Sequence, residues 1–368
     1  MKPLYKILII LAIIVVLAVT VYWLWGQIST PKKIISPPSI QTPGSIQPTE
    51  ANKPAPQKIS DRPIFNYWLS PETEEIFYLT PKGEVYNAKA GEDILYSSQT
   101  FSAINSIIPS PSAQEILMAF GDPRQPQWGI FDINDRTWRP LPADLLEATW
   151  ADSDHNLIGL VKNQQNISLA NIDLQSSPPK IKIIISDFRF KDIDLKWQAP
   201  DQLLIMEKPS ASYRGKVWKL DLKTLSFQTL YGPELGLMLY HSQDNQYLFK
   251  YSLPYRFFAI NNQKQFSLPP TFPQKCDSYL NTIYCFVPSS LTLPDSTLPD
   301  DYFSRKTYSL DALFVNDLES GDMNQIFMSS QENIPAIDAT NARITPDGVL
   351  YFINRYDNYL YEFPLGGY

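Results

Sequence analysis

Between residues 63 and 368 one succession recurs seven times: a strand, a polar turn, an apolar second strand, and a third strand ending in a polar turn. The sharpest copy is Arg343-Ile344-Thr345-Pro346-Asp347-Gly348-Val349-Leu350-Tyr351-Phe352-Ile353. Its Pro presets φ for the turn, and Asp and Gly tolerate the tight end. The second-strand cores begin at Ile76, Ile116, Leu157, Leu203, Tyr247, Ile283 and Leu350, at intervals of 40, 41, 46, 44, 36 and 67 residues. One such unit cannot bury its own apolar faces, so neighbours must stack. A period of about 40–45 residues is that of a four-stranded blade, and blades close into a ring without long exposed edges. The expected fold is all-β, a seven-bladed β-propeller, with six or eight blades as alternatives because degenerate copies are easily miscounted.

The turns before the second strands vary. Ser70-Pro71-Glu72, Ser110-Pro111-Ser112 and Ala199-Pro200-Asp201 keep the Pro, whereas Ser242-Gln243-Asp244-Asn245 lacks it. The third strands share a short apolar run into Asp or Asn, as in Val217-Trp218-Lys219-Leu220-Asp221, which starts the hairpin to the outer strand. Strand, Ser/Thr-Pro-Asp-Gly, apolar strand, then apolar-x-apolar-Asp resembles the TolB-like propeller repeat, a relative of WD-repeat blades. The resemblance covers roughly residues 60–365, and only Thr345-Pro346-Asp347-Gly348 is close to the full turn motif. The layout of the chain also resembles single-pass, propeller-bearing envelope proteins of small-genome bacteria. Both resemblances imply a scaffold, and neither brings catalytic residues to carry over.

The seventh copy ends at its third strand, with only Pro364 to Tyr368 beyond it. Gln57-Lys58-Ile59-Ser60-Asp61, just before the first copy, is placed to supply the missing fourth strand and close the ring between the two ends. The long last interval holds about 25 residues more than one period, and they fall in residues 287–312. A long insertion on a rigid scaffold is a natural place for binding. Asp295, Asp300, Asp301, Tyr302 and Arg305 are its candidate binding residues. Asp295, Asp300 and Asp301 offer hard oxygen ligands for calcium, but Pro294 and Pro299 explain the same turns without an ion. No metal or cofactor is expected.

The first 58 residues carry six Lys and one Glu, a net charge of +5 within a chain whose total is -7. The remainder is therefore strongly acidic and poorly suited to nucleic acid, whose affinity rests on neutralised phosphates. Residues 7–25 are an unbroken apolar run ending in Tyr22, Trp23 and Trp25. At about 1.5 Å per residue the run spans roughly 28 Å, close to the hydrocarbon thickness of a bilayer. No small-x-small cleavage site follows it, so residues 1–26 are read as an uncleaved transmembrane anchor with its N-terminus cytoplasmic. Residues 27–56 form a Pro-rich linker too poor in bulky apolar residues to fold. Residues 57–368 are the propeller domain, which this orientation places outside the cytoplasm.

Cys276 and Cys285, the only two cysteines, fall on adjacent strands of the sixth copy. Outside the cytoplasm a disulfide between them is the natural reading. His155 and His241 are the only two histidines, both expected in polar turns, and no Gly-x-Ser-x-Gly accompanies them. Trp68, Trp128, Trp138, Trp150, Trp197 and Trp218 are spread over the blades, where rings commonly fill the space between sheets. The expected function is a non-catalytic, membrane-anchored module of the cell envelope that recognises a protein or polysaccharide. The alternatives are a sugar lyase or hydrolase with a site at the channel mouth, and a subunit of a secretion or pilus assembly. An enzyme would call for three or more carboxylates or histidines converging at that mouth.

Overall fold

The computed structural model describes residues 55–366, apart from 71–74, 90–91, 164–165, 191, 263, 290–296 and 332. The anchor expected over residues 1–26 and nearly all of the linker lie outside the described residues. Among those described, no helix is long and apolar enough to cross a membrane.

Seven antiparallel sheets of four strands follow one another along the chain, so the fold is a seven-bladed β-propeller. The first strands of the blades are Asn66–Leu69, Ile104–Pro109, Leu145–Trp150, Ile193–Ala199, Met238–His241, Cys276–Tyr279 and Ala339–Ile344. These strands are innermost, because those of adjacent blades touch: the Tyr67 hydroxyl donates to the Asn341 carbonyl at 2.6 Å, and the Ile344 amide donates to Asp277 at 2.9 Å. Each second strand pairs on both sides and packs on both faces. It therefore reads as a continuous apolar run, such as the buried Ile116-Leu117-Met118-Ala119. The outermost strands face water, and Lys180–Ile185 is exposed along most of its length.

The hydrophobic effect acts between blades. Trp68, Phe77 and Val85 of blade one pack with Ile116, Met118 and Phe131 of blade two. Equivalent clusters join blades two and three, three and four, five and six, six and seven, and seven and one. Trp68, Trp128 and Trp150 are buried in these seams, and Trp138, Trp197 and Trp218 are packed against them.

The ring closes as its ends suggested. Gln57–Lys58 pairs antiparallel with the third strand of blade seven, Gln57 opposite Glu362 and Lys58 opposite Tyr361. The Ile59 amide continues the ladder by donating to the Leu360 carbonyl at 2.9 Å. Beside it the Ser60 hydroxyl accepts the Leu360 amide at 3.0 Å and donates to the Arg62 carbonyl at 3.0 Å. The Ser60→Ala substitution leaves that buried amide without a partner. It is expected to cost about 1–3 kcal/mol, read as a lower denaturant midpoint at unchanged m-value. An unchanged midpoint would show that the closure contributes little.

Candidate functional site

Cys276 and Cys285 face each other across the first two strands of blade six, with Cα atoms 4.2 Å apart, and form a disulfide. The bond sits fully buried in the seam with blade five.

The insertion leaves the second strand of blade six after Pro288 and rejoins the sheet at Asp311, so the ends of the expected 287–312 span belong to strands. Between them lies a short helix, Asp300–Phe303. Asp295 lies outside the described residues. Asp300 accepts the Ala211 amide of blade four at 3.2 Å. Asp301 accepts the Thr297 amide at 2.7 Å and faces Lys306. The Tyr302 ring is buried, 4.3 Å from the centroid of Phe272. Arg305 is exposed and donates to Asn358 at 2.5 Å. Asp300, Tyr302 and Arg305 thus dock the insertion onto blade four, Phe272 and blade seven.

Beneath the helix lies a buried ionic cluster that the sequence reading missed. Lys275 closes a 3-10 turn whose Pro273 starts it, and its ammonium is fully buried. It donates to Asp311 and Asp338 at 2.6 Å each and to the Ser309 hydroxyl at 2.9 Å. Arg355 donates to the other oxygen of Asp338 at 2.6 Å and to the Tyr302 carbonyl at 2.7 Å, while its guanidinium lies 3.7 Å from the Tyr302 ring. Burial opposes the charge on Lys275, but Asp311, Tyr302 and Asp338 outweigh it and hold the ammonium above the ordinary lysine range. No short-range pattern marks these residues, which come from stretches far apart in sequence.

One seam differs from the rest: among the described residues no buried apolar cluster spans blades four and five. A cavity of about 560 Å³ lies there instead. Met206 and Val217 of blade four, Leu237, Met238 and Tyr240 of blade five, and Phe303 of the insertion helix line it. Asp194, Glu207, Lys208 and Asp300 supply its charges. Its size and apolar walls are those of a small-ligand pocket.

Asp194 and Tyr240, which line the cavity, stand on the inner strands of blades four and five. Glu147 and Asp194, on the inner strands of blades three and four, sit close enough to repel. Burial first, and then Asp194, push the Glu147 carboxyl up to about 8. His241 is on the inner strand of blade five rather than in a turn, and burial and then Lys196 depress it to about 3. His155 is exposed in its turn. Asp277 spends one oxygen on the Gln243 amide at 2.8 Å and the other on the Ile344 amide at 2.9 Å. Among the described residues no group of three His, Cys, Asp or Glu is arranged to hold a metal ion.

No protein-family model and no curated protein matches the chain. Solved structures do. The β-propeller domain of Myceliophteria thermophila Cps50 (Swd1) is similar with TM-score 0.52 at 10% identity, covering 84% of this chain and 98% of that one. A chain of the mitotic checkpoint complex is similar with TM-score 0.50 at 10% identity, covering 91% and 99%. An oligogalacturonate lyase in complex with manganese is similar with TM-score 0.50 at 10% identity, covering 85% and 99%. At such identities the likeness is one of fold, shared by propellers that are enzymes and propellers that are not.

Two predictions follow from the buried charges. Lys275→Met leaves two buried carboxylates without their ammonium and is expected to cost about 3–5 kcal/mol in chemical denaturation. Stability unchanged within error would contradict the cluster. For Glu147 the native state keeps a proton, between the ordinary value of 4.5 and about 8, that the unfolded chain has lost. Stability from this group therefore falls as pH rises through that window. Glu147→Gln is expected to raise Tm at pH 8 more than at pH 4.5, and equal shifts would refute the assignment.

Proposed function

We propose that this chain is a membrane-tethered, extracytoplasmic β-propeller that acts as a non-catalytic binding module of the cell envelope. It takes a protein segment or a polysaccharide at the cavity between blades four and five. The observation that carries this reading is that cavity, at a seam where the described residues form no buried apolar cluster, lined in part by a helix whose Tyr302 carbonyl Arg355 holds. A rigid, preformed and mostly apolar site loses little ordering entropy on binding. The buried Cys276–Cys285 disulfide supports an oxidising compartment, and the apolar run at residues 7–25 supports a bilayer tether. The acidic balance of the chain beyond residue 58 argues against nucleic acid.

A second reading, a propeller enzyme acting on sugars at the channel mouth, has two observations in its favour, the first being that Glu147, Asp194, His241 and Asp277 all stand on inner strands. The second is that Glu147 holds its proton to about 8 beside Asp194, the condition for a general acid at neutral pH. Oligogalacturonate lyase has the same fold, but a shared fold does not transfer an activity.

Filling the cavity tests the first reading. Met206→Trp is expected to leave Tm unchanged or raised while abolishing capture of envelope proteins and polysaccharides by the full chain in detergent. Capture that survives the substitution would remove the cavity from the proposal. Turnover of acidic or neutral polysaccharides that Glu147→Gln abolishes would replace the module with the enzyme.

A further inference from the structure

Side chains from the inner strands of five blades interact with one another at the propeller axis. Lys196 comes from blade four, Tyr240 and His241 from blade five, Asp277 from blade six, Arg343 from blade seven and Tyr67 from blade one. Lys196 lies 5.8 Å and Arg343 4.8 Å from the Tyr240 ring centroid, so one aromatic ring holds both cations. Tyr67 is fixed by hydrogen bonds from its hydroxyl to the carbonyls of Asn341 and Tyr351 at 2.6 and 3.0 Å.

This cluster holds two cations and a single acid, Asp277. Among the described residues neither Arg343 nor Lys196 forms an ion pair. Arg343 Nη1 is shielded from solvent and has no hydrogen-bond partner. The one carboxylate that faces Arg343, Asp277, accepts a backbone amide on each oxygen and makes no ion pair with the guanidinium. Two cations facing one carboxylate leave an excess of positive charge in a sheltered place, and a bound anion removes that cost.

We propose that the propeller axis is an oxyanion site, in which Arg343 and Lys196 together receive a carboxylate or phosphate group of the ligand. The fork of a guanidinium suits either group, and the lysine adds a second charge. Tyr240 carries both cations on its ring and also lines the cavity between blades four and five, so the two spaces share a wall. A ligand in the cavity reaches the axis past Tyr240 with its anionic end. This deepens the reading of the cavity as a binding site and rests on it for the position of the ligand's apolar part. The charge on Lys196 at neutral pH is already reduced, since burial and Arg343 bring it down to about 7. An arriving oxyanion reverses that depression.

The test uses the full chain in detergent with three probes: glucuronate, glucose as its neutral counterpart, and inorganic phosphate. Calorimetric titration and the shift in Tm are read for wild type, Lys196→Met and Arg343→Met, with circular dichroism as the check on folding. Wild type is expected to bind glucuronate or phosphate but not glucose. Each substitution is expected to weaken that binding roughly tenfold or more, the worth of one charge-assisted contact. Glucuronate binding without phosphate identifies a uronate or other carboxylate ligand, and the reverse identifies a phosphorylated one. Failure of both anions to bind, or affinity unchanged in Lys196→Met, overturns the site. If Arg343→Met does not fold, Lys196→Met decides alone. Capture lost in Met206→Trp together with no anion binding would keep the cavity reading and sink this one, so the two fail separately.

Discussion

A ladder only two residues long holds the ring shut. Gln57–Lys58 adds the fourth strand to a blade whose other three come from the far end of the chain. Without it, Tyr359–Pro364 would present an unpaired edge, which invites pairing with another chain. Closure also completes the last seam, where Ile353 and Leu360 of blade seven pack with Ile64, Tyr67, Tyr78 and Tyr86 near the start. The backbone pairing is short, so side chains reinforce it. Ser60 takes up the Leu360 amide, and Lys58 lies 4.1 Å from the Tyr359 ring centroid. Every other feature of the molecule assumes this closure, because an axis shared by all blades exists only in a closed ring.

The blades were legible in the sequence for a local reason. A central strand pairs on both sides and is buried on both faces, so Ile76-Phe77-Tyr78-Leu79 and its counterparts stand out as apolar runs at a near-constant period. Closure was legible because the seventh copy stops one strand short. The disulfide followed from two cysteines on adjacent strands. What stayed hidden depends on contacts far apart in sequence. Nothing near Lys275 marks it as buried, and its partners Asp311 and Asp338 lie 36 and 63 residues away. Tyr302 looked like a loop residue because its neighbours Asp300, Asp301 and Arg305 are polar. Only the docked helix turns its ring inward onto Phe272. His241 was placed in a turn because Ser242-Gln243-Asp244-Asn245 follows it, yet pairing with Leu248 carries the strand one residue further than the pattern suggested. The axis was invisible to periodicity, since its six members come from five different repeats, two of them from one strand.

The two groups of enclosed cations differ in a way that separates scaffold from site. Around Lys275 every charge is answered. Two carboxylates and a hydroxyl take the ammonium, Arg355 takes the second oxygen of Asp338, and the Ala339 amide takes Asp311 at 2.8 Å. Such a network offsets its own desolvation and fixes one arrangement of the insertion. At the axis the accounting does not close. Arg343 and Lys196 share the ring of Tyr240, and the single carboxylate among them, Asp277, sets one negative charge against two positive ones. A fold whose purpose was stability alone gains nothing from leaving a guanidinium nitrogen enclosed without an acceptor. The same molecule solves this problem fully a few residues away, in the cluster that anchors the helix. The incomplete set sits where the inner strands of five blades converge and shares Tyr240 with a cavity in the seam where the described residues form no buried apolar cluster. Unmet polar demand on rigid elements, next to unfilled apolar volume, is the physical description of a site prepared for a ligand.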